Sequence, residues 1–466
     1  MNANDAFLKR LLGRETIILA TLVFIVSFLS GFLMNCSSLS RSTRSQYSQG
    51  TLFGNTVHRY VLDNGLKLLV IEDDSSPTFA YQTWYRVGAR HEVPNYTGLA
   101  HLFEHMMFKR TKNFGDGESE KLLEKAGVEG FNAFTSKDYT AYIQELPSSQ
   151  LELIARIESD RMRNLIVDDS AFATEREVVQ NERRFRNEND PKGMMYQMVY
   201  EVAFQNHSYR WPVIGYEADL MRMSAQDARN FYNTYYSPER ATVVIVGDVK
   251  KEKVLNLVLE RYGAIPRNGS ADPVYVAEKT QTAPKIQTAR FNLSTELILM
   301  GYKVPPLMHE DAPAVLLLQN LLAEGKSSLL SNALVGTGQM SSIITYSSNA
   351  PFPSLAIFMG TMQKGKKAIS AESQIQIEID RLQSRGISEE AVAKARNLLL
   401  LELFQSFSSA SDRANFLGQF ETNTTHFQNG VNLYQRIKEV TSSDLKRVAR
   451  LYFGAKSRTT ILGVSK

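Results

Sequence analysis

The sequence predicts an α+β protein built from two domains. Three observations carry this: β-rich runs closed by turn signals, long amphipathic stretches alternating with them, and a length of 466 residues. That length is too great for one compact core and suits two domains of roughly 200 residues each. An apolar fraction of 43% and a charged fraction of 22% are those of an ordinary soluble globular protein. A net charge of +4 is mild for this length and points away from nucleic acid as a partner.

The first 36 residues stand apart. Lys9, Arg10 and Arg14 precede an apolar run over residues 17–34, which reads as a secretory signal or a membrane anchor. Cys36, the single cysteine, follows directly, ahead of Ser37 and Ser38. This placement resembles the lipid-attachment cysteine of bacterial lipoproteins, with Cys36 as the mature N-terminus. Met34 and Asn35 stand where small residues are usual, so an uncleaved anchor is the alternative. Arg41 and Arg44 on the far side leave the orientation of an anchor open. Either way the expectation is an exported, membrane-associated body, periplasmic or facing the outer membrane. With one cysteine it holds no internal disulfide. Residues 37–54 are Ser-rich and polar and read as a tether.

The first domain is expected over residues 55–264. Runs 60–62 and 66–71 flank Asp63-Asn64-Gly65, a hairpin signal. Residues 79–87 form a third strand ending at Gly88, and a helix begins near Thr97, a plausible N-cap. A short helix over 118–126 stops at Gly127, and strands follow at 132–135 and 139–144. Ser149-Gln150-Leu151-Glu152 is a capping-box pattern opening a long helix through Arg161. A second long helix spans about 170–187, ended by Asp190-Pro191. TVVIV at 242–246 is a buried strand closed by Gly247-Asp248. Residues 265–284, with Pro266, Gly269, Pro273 and Pro284, read as an interdomain linker. The second domain, 285–466, opens with a strand pair around 288–302. A helix follows from Ala312 to a stop at Gly325, then strands at 342–345 and 355–359. Helices at 371–383 and 389–406 and a last strand at 459–464 complete it.

The chemistry is concentrated in residues 98–107, GLAHLFEHMM. On a helix, His101 and His105 lie one above the other and aim two imidazoles at one point, with Glu104 beside them. Leu99, Leu102, Phe103 and Met106 imply that this helix is partly buried, where unpartnered polar groups are costly. Two neutral imidazoles plus a carboxylate make a zinc tripod with a fourth position left to water. The second long helix offers Glu175, Glu177, Glu182 and Glu188, of which Glu175 and Glu182 share a face two turns apart. Spacing alone does not choose among them, and all four can instead pair with Arg176, Arg183, Arg184 and Arg186.

Taken together, GARHE (88–92), GLAHLFEHMMFKRT (98–111), NAFTSKDYT (132–140), ESDRM (158–162), EREVVQNERR (175–184) and YSPERATVVIVGDV (236–249) resemble, in order and spacing, the pitrilysin-type zinc peptidases. This is the family of insulin-degrading enzyme and the mitochondrial processing peptidase, and the chain is most similar to its smaller bacterial two-domain members. The resemblance implies two homologous domains, each a largely antiparallel sheet with helices on one face, facing each other around a chamber. The family's inverted motif is followed at a fixed distance by a glutamate ligand, which falls on Glu182, with Glu175 as a supporting carboxylate. It implies one Zn²⁺ per chain on His101, His105 and Glu182, and Glu104 as the base. Asn132, Ala133, Phe134 and Thr135 match the edge strand on which peptide substrate docks as an added strand. The helix from Ala312 occupies the place of the metal helix in the second domain and carries no such motif.

Related sites are completed from the second domain by an arginine and a tyrosine. Here Val335 and Ser342 stand in those positions, and no arginine occurs between residues 291 and 380. The resemblance therefore implies a homologous partner chain that supplies the pair. The expected function is a zinc endopeptidase acting on extended peptides. The alternatives are a scaffold member without activity and a dedicated precursor-processing subunit.

Overall fold

In the computed structural model, residues Ser45–Lys466 are described apart from Ser270. The apolar run at 17–34 and Cys36 lie outside the described residues. Among the described residues no helix is long and apolar enough to cross a membrane.

The first half contains β1 (Ser45–Leu52), β2 (Asn55–Leu62), β3 (Lys67–Glu72), β4 (Thr78–Tyr85), α1 (Leu99–Met106), α2 (Glu118–Lys125), β5 (Glu129–Thr135) and β6 (Thr140–Pro147). It continues with α3 (Leu151–Asn164), α4 (Asp169–Arg183), α5 (Pro191–Ala203), α6 (Glu217–Arg222), α7 (Ala225–Tyr235), β7 (Ala241–Gly247) and α8 (Lys251–Tyr262). Its sheet has the order β1-β2-β3-β7-β4-β6-β5, antiparallel except for β3 beside β7. The Asp63-Asn64-Gly65 hairpin forms as expected, with Gly65 at φ +87 and its N–H donated to Leu62 O at 2.8 Å.

The expected tether is overturned from residue 45 onward. Ser45 pairs with Leu62 and Leu52 with Asn55 along the whole of β1. The run is polar because β1 is an edge strand exposed along most of its length, not because it is unpaired. The capping box at Ser149 is not made either. A 3-10 turn at Ser148–Gln150 precedes α3, whose N-cap residue, Gln150, makes no side-chain cap bond. The Asp190-Pro191 pair does end one helix, and it also starts the next, Asp190 accepting from the N–H groups of Lys192 and Gly193.

The second half contains β8 (Lys285–Phe291), β9 (Leu297–Val304), α9 (Ala312–Ala323), β10 (Met340–Tyr346), β11 (Ser354–Met362), α10 (Ala368–Arg385) and α11 (Glu389–Gln405). Three helices unanticipated from the sequence follow, α12 (Ala410–Thr424), α13 (Gln428–Ile437) and α14 (Ser442–Tyr452), then β12 (Arg458–Ser465). The sheet order is β10-β11-β9-β12-β8. The expected pairing of β8 with β9 is therefore wrong. The last strand inserts between them, parallel to β8 and antiparallel to β9. Residues 460–463 are buried throughout, so β12 belongs in the sheet interior and not at its edge.

Each sheet was expected to carry helices on one face, but both faces of both sheets are covered. Val243 and Ile245 of β7 face the helices of their own half, while Val244 and Val246 face Phe416, Leu417 and Phe420 of α12. Conversely Leu297 and Leu299 of β9 pack against Met195 and Val199 of α5. Each half thus lends a helix to the other half's sheet. Buried ions cross the same contact. Glu421 of α12, fully buried, accepts from Arg59 Nη2 at 2.9 Å and lies 3.0 Å from Lys67 Nζ.

Candidate metal centre

Helix α1 is fastened at its N-terminus by a residue far from it in chemistry but near in sequence. Glu92, buried, accepts from the N–H groups of Gly98 and Ala100, each at 2.8 Å. This satisfies two of the unpaired donors that open every helix. Burial pushes the Glu92 carboxyl up to about 8, against the pull of those two N–H groups. Thr97 is not the N-cap; Gly98 is, at φ +100. A Cβ at residue 98 would stand 2.8 Å from Ile214 O, so the chain closes there only with glycine. Thr97 instead donates its hydroxyl to Asp219 at 2.7 Å. Leu102, Phe103 and Met106 are buried in the core of the first half, and Tyr142 donates its hydroxyl to Phe103 O at 2.8 Å. This fixes the rotation of α1 and turns His101, Glu104 and His105 outward to α4.

Of the four glutamates, Glu177 and Glu188 are exposed, and α4 brings only Glu175 and Glu182 to the histidines. Glu182 Oε2 lies 3.7 Å from His101 Nε2 and 3.3 Å from His105 Nε2. Ligands held about 2.0–2.2 Å from one zinc in tetrahedral geometry stand about 3.3–3.6 Å apart, and the three ligand atoms here lie within 4.8 Å of one another, close enough to gather on one ion. His101, His105 and Glu182 form the one His/Cys/Asp/Glu group of this kind among the described residues. Burial lowers the His101 imidazole to about 4. Burial also acts to lower His105, but the carboxylates of Glu175 and Glu182 outweigh it and raise it to about 9. Glu175 Oε2 lies 3.5 Å from His105 Nδ1, on the side away from Glu182, and its Oε1 lies 2.5 Å from Lys109 Nζ. Glu104 Oε2 is 4.0 Å from His101 Nε2, and burial raises its carboxyl above the ordinary range.

A cavity of about 300 Å³ opens beside these groups, lined by His101, Glu104 and Glu182. Ala133, Phe134 and Thr135 line it too, on β5, which is the free edge of the sheet. Asn132 is exposed outside the lining, its Oδ1 accepting from Ala133 N at 2.9 Å. Sequence reasoning missed Tyr196 and Tyr200 of α5, Trp211 and Lys137 in the lining, while Arg186, expected only as a partner of the glutamates, both pairs with Glu182 and lines the cavity. Lys137 donates to Tyr209 O and Trp211 O and rests 4.2 Å over the Tyr200 ring. Its signal was present in the NAFTSKDYT stretch, but its partners come from loops distant in sequence. Neither Val335 nor Ser342 lines the cavity. From the second half, Tyr346 of β10 reaches its wall, 6.0 Å from the Tyr196 ring.

The donor types and their separations are those of a candidate zinc site, with a cavity beside it. Comparisons with known proteins agree. Residues 67–216 match the model of Insulinase (Peptidase family M16), and residues 222–399 match that of the Peptidase M16 inactive domain. The chain belongs to the M16 (pitrilysin/insulinase) family and is a zinc metalloprotease. It is 29% identical over 459 residues to the zinc protease PqqE of Helicobacter pylori, covering 97% of this chain and 98% of that protein. The crystal structure of a protease from Helicobacter pylori superposes with a TM-score of 0.83 at 28% identity, covering 90% of this chain and all of that one. The periplasmic protease PqqL of Escherichia coli shares the fold, with a TM-score of 0.71 at 20% identity over 91% of this chain and 48% of that one.

Proposed function

We propose that the chain is an endopeptidase that hydrolyses extended or unfolded peptides bound as an added strand on β5. The observation that carries this is the free edge of β5 bordering the cavity that holds His101, Glu104 and Glu182. His101, His105 and Glu182 hold one zinc ion per chain, which when bound supplies a Lewis acid for water and for the scissile carbonyl. Main-chain groups of residues 132–135 align the peptide and exclude folded substrates, which have no free strand to offer. Glu104 takes a proton from the attacking water and returns it to the leaving amine. Burial raises its carboxyl above the ordinary carboxylate range, which makes it a stronger base than an exposed glutamate. Glu175 holds the His105 ring through Nδ1, leaving Nε2 for the metal. A second half that closes a chamber over the site favours short, flexible substrates.

Backbone N-methylation of a cleaved peptide tests the docking mode. Methyl groups on those amides of the bound strand that face β5 raise KM strongly, whereas a uniform tolerance of N-methylation at every position overturns strand addition.

Val335 and Ser342 favour a second reading, in which a homologous partner chain supplies an arginine and a tyrosine. Turnover of flexible peptides at about 1 s⁻¹ or faster by the purified chain, shown to be monomeric by light scattering, overturns it. Export follows from the apolar run at residues 17–34, with Cys36 lipidated or the run retained as an anchor. PqqL of Escherichia coli, which shares the fold, is a periplasmic protease, in agreement with export. Mass spectrometry of the mature N-terminus separates the two forms.

A further inference from the structure

Glu182 stands near the end of the α-helical part of α4, one residue before Arg183. Its two oxygens have different surroundings. Oε2 is turned to both imidazoles, while Oε1 lies 2.9 Å from Nη1 of Arg186. Beyond Arg183 the helix widens into a π-helical turn, Arg184–Glu188, with Asn189 N donating to Arg184 O at 2.9 Å. Single turns of this kind concentrate at functional sites. The turn carries Arg186 at the cavity wall with its side chain 72% exposed. An ion pair this exposed adds little to fold stability, so its effect is local to Glu182.

We propose that Arg186 is a positioning residue of the metal centre, occupying Oε1 of Glu182 so that this carboxylate offers the metal one oxygen and not two. The inference rests on the zinc-peptidase reading above. An unrestrained carboxylate can bind a cation through both oxygens. A second bond from Glu182 would take up the position that a catalytic centre leaves to water. With the Arg186 guanidinium 2.9 Å from Oε1, that second bond forms only by breaking this ion pair. Glu175 repeats the arrangement, its Oε1 on Lys109 and its Oε2 toward His105. In both carboxylates a cation takes the outer oxygen and the histidines face the inner one, which argues against a chance surface pair at Arg186.

The test uses the full chain with cobalt(II) in place of zinc, in Arg186→Ala and Arg186→Lys. Four-coordinate cobalt(II) absorbs visible light several times more strongly than five-coordinate cobalt(II). Wild type and Arg186→Lys give the strong bands, and Arg186→Ala gives the weak ones. On a flexible peptide, kcat of Arg186→Ala falls ~10–100-fold while KM stays within about twofold, and Arg186→Lys recovers most of the loss. Should Arg186→Ala not fold, Arg186→Gln reads the same change. A variant spectrum identical to that of wild type overturns the proposal. So does a raised KM at unchanged kcat, which would place Arg186 on the peptide. If the wild type binds no cobalt and cleaves nothing, the peptidase reading itself falls, and the positioning role with it.

Discussion

Gly418 of α12 lies so close to Trp84 of β4 that a Cβ on it would stand 2.1 Å from the indole nitrogen. Trp84 is buried and donates that N–H to Gln82 Oε1 at 2.9 Å, so it has no free space to move into. The absence of one side chain therefore lets the second half's helix seat on the first half's sheet. Gly418→Ala should destabilise the protein by at least the ~1–3 kcal/mol typical of overpacked cores. Urea unfolding followed by tryptophan fluorescence measures it, and a midpoint equal to that of wild type would show that the contact gives way at no cost.

The same interface holds Glu421, fully buried between Arg59 and Lys67, with its second oxygen accepting from Phe427 N at 2.9 Å. Removing one partner of a buried ion pair costs ~3–5 kcal/mol because the other charge is left unpaired. Arg59 and Lys67 side chains keep 16% and 22% exposure, which places Glu421→Ala near the low end of that range. The loss should be read in the unfolding midpoint, with the metal content of the folded fraction unchanged.

Stability should also fall in acid through Asp73. Hydrogen bonds from Ser75 hold its carboxyl below the ordinary carboxylate range, burial opposes them, and Arg413 adds to the lowering. A folded-state value below the unfolded one stabilises the protein above the unfolded pKa of about 3.9. That contribution disappears as pH falls through the folded value. The difference in melting temperature between wild type and Asp73→Asn should be constant from pH 7 to about 5 and shrink below about 4. A difference that grows toward acid would reverse the assignment.

Glu104→Gln should retain zinc and lose ~10²–10⁴ in kcat, the usual contribution of a positioned base. His101→Ala and Glu182→Gln should instead lose the metal, since each removes one of three donors. Elemental analysis beside turnover separates the two behaviours, and normal cleavage by Glu104→Gln would remove it from the role of base.

Chelation should abolish peptide cleavage and leave the secondary structure intact, because α1 is held by Glu92 and Phe103 and not by the metal. Circular dichroism before and after chelation, with recovery of activity on adding zinc, checks both halves of this expectation.

Local features were legible in the chain. The hairpin at Asp63-Asn64-Gly65, the glycine stop after α2, the helical placement of His101 and His105, and the buried run of β7 each depend on neighbours within a few residues. Local spacing left four glutamates on the second long helix as candidates for a third donor, and only the resemblance to the pitrilysin-type peptidases pointed to Glu182. What the chain order did not reveal depends on approach between distant segments. The insertion of β12 between β8 and β9 sets a strand at the end of the chain among residues near 290. The exchange of α5 and α12 between the sheets buries faces that an amphipathic pattern leaves to solvent. At the head of α1, Glu92 takes the backbone N–H groups while Thr97 donates to Asp219, a contact across more than a hundred residues. Hydrophobic periodicity states which side of an element is buried but not what covers it. The tertiary structure decided the coverings, and with them the cavity beside the histidines.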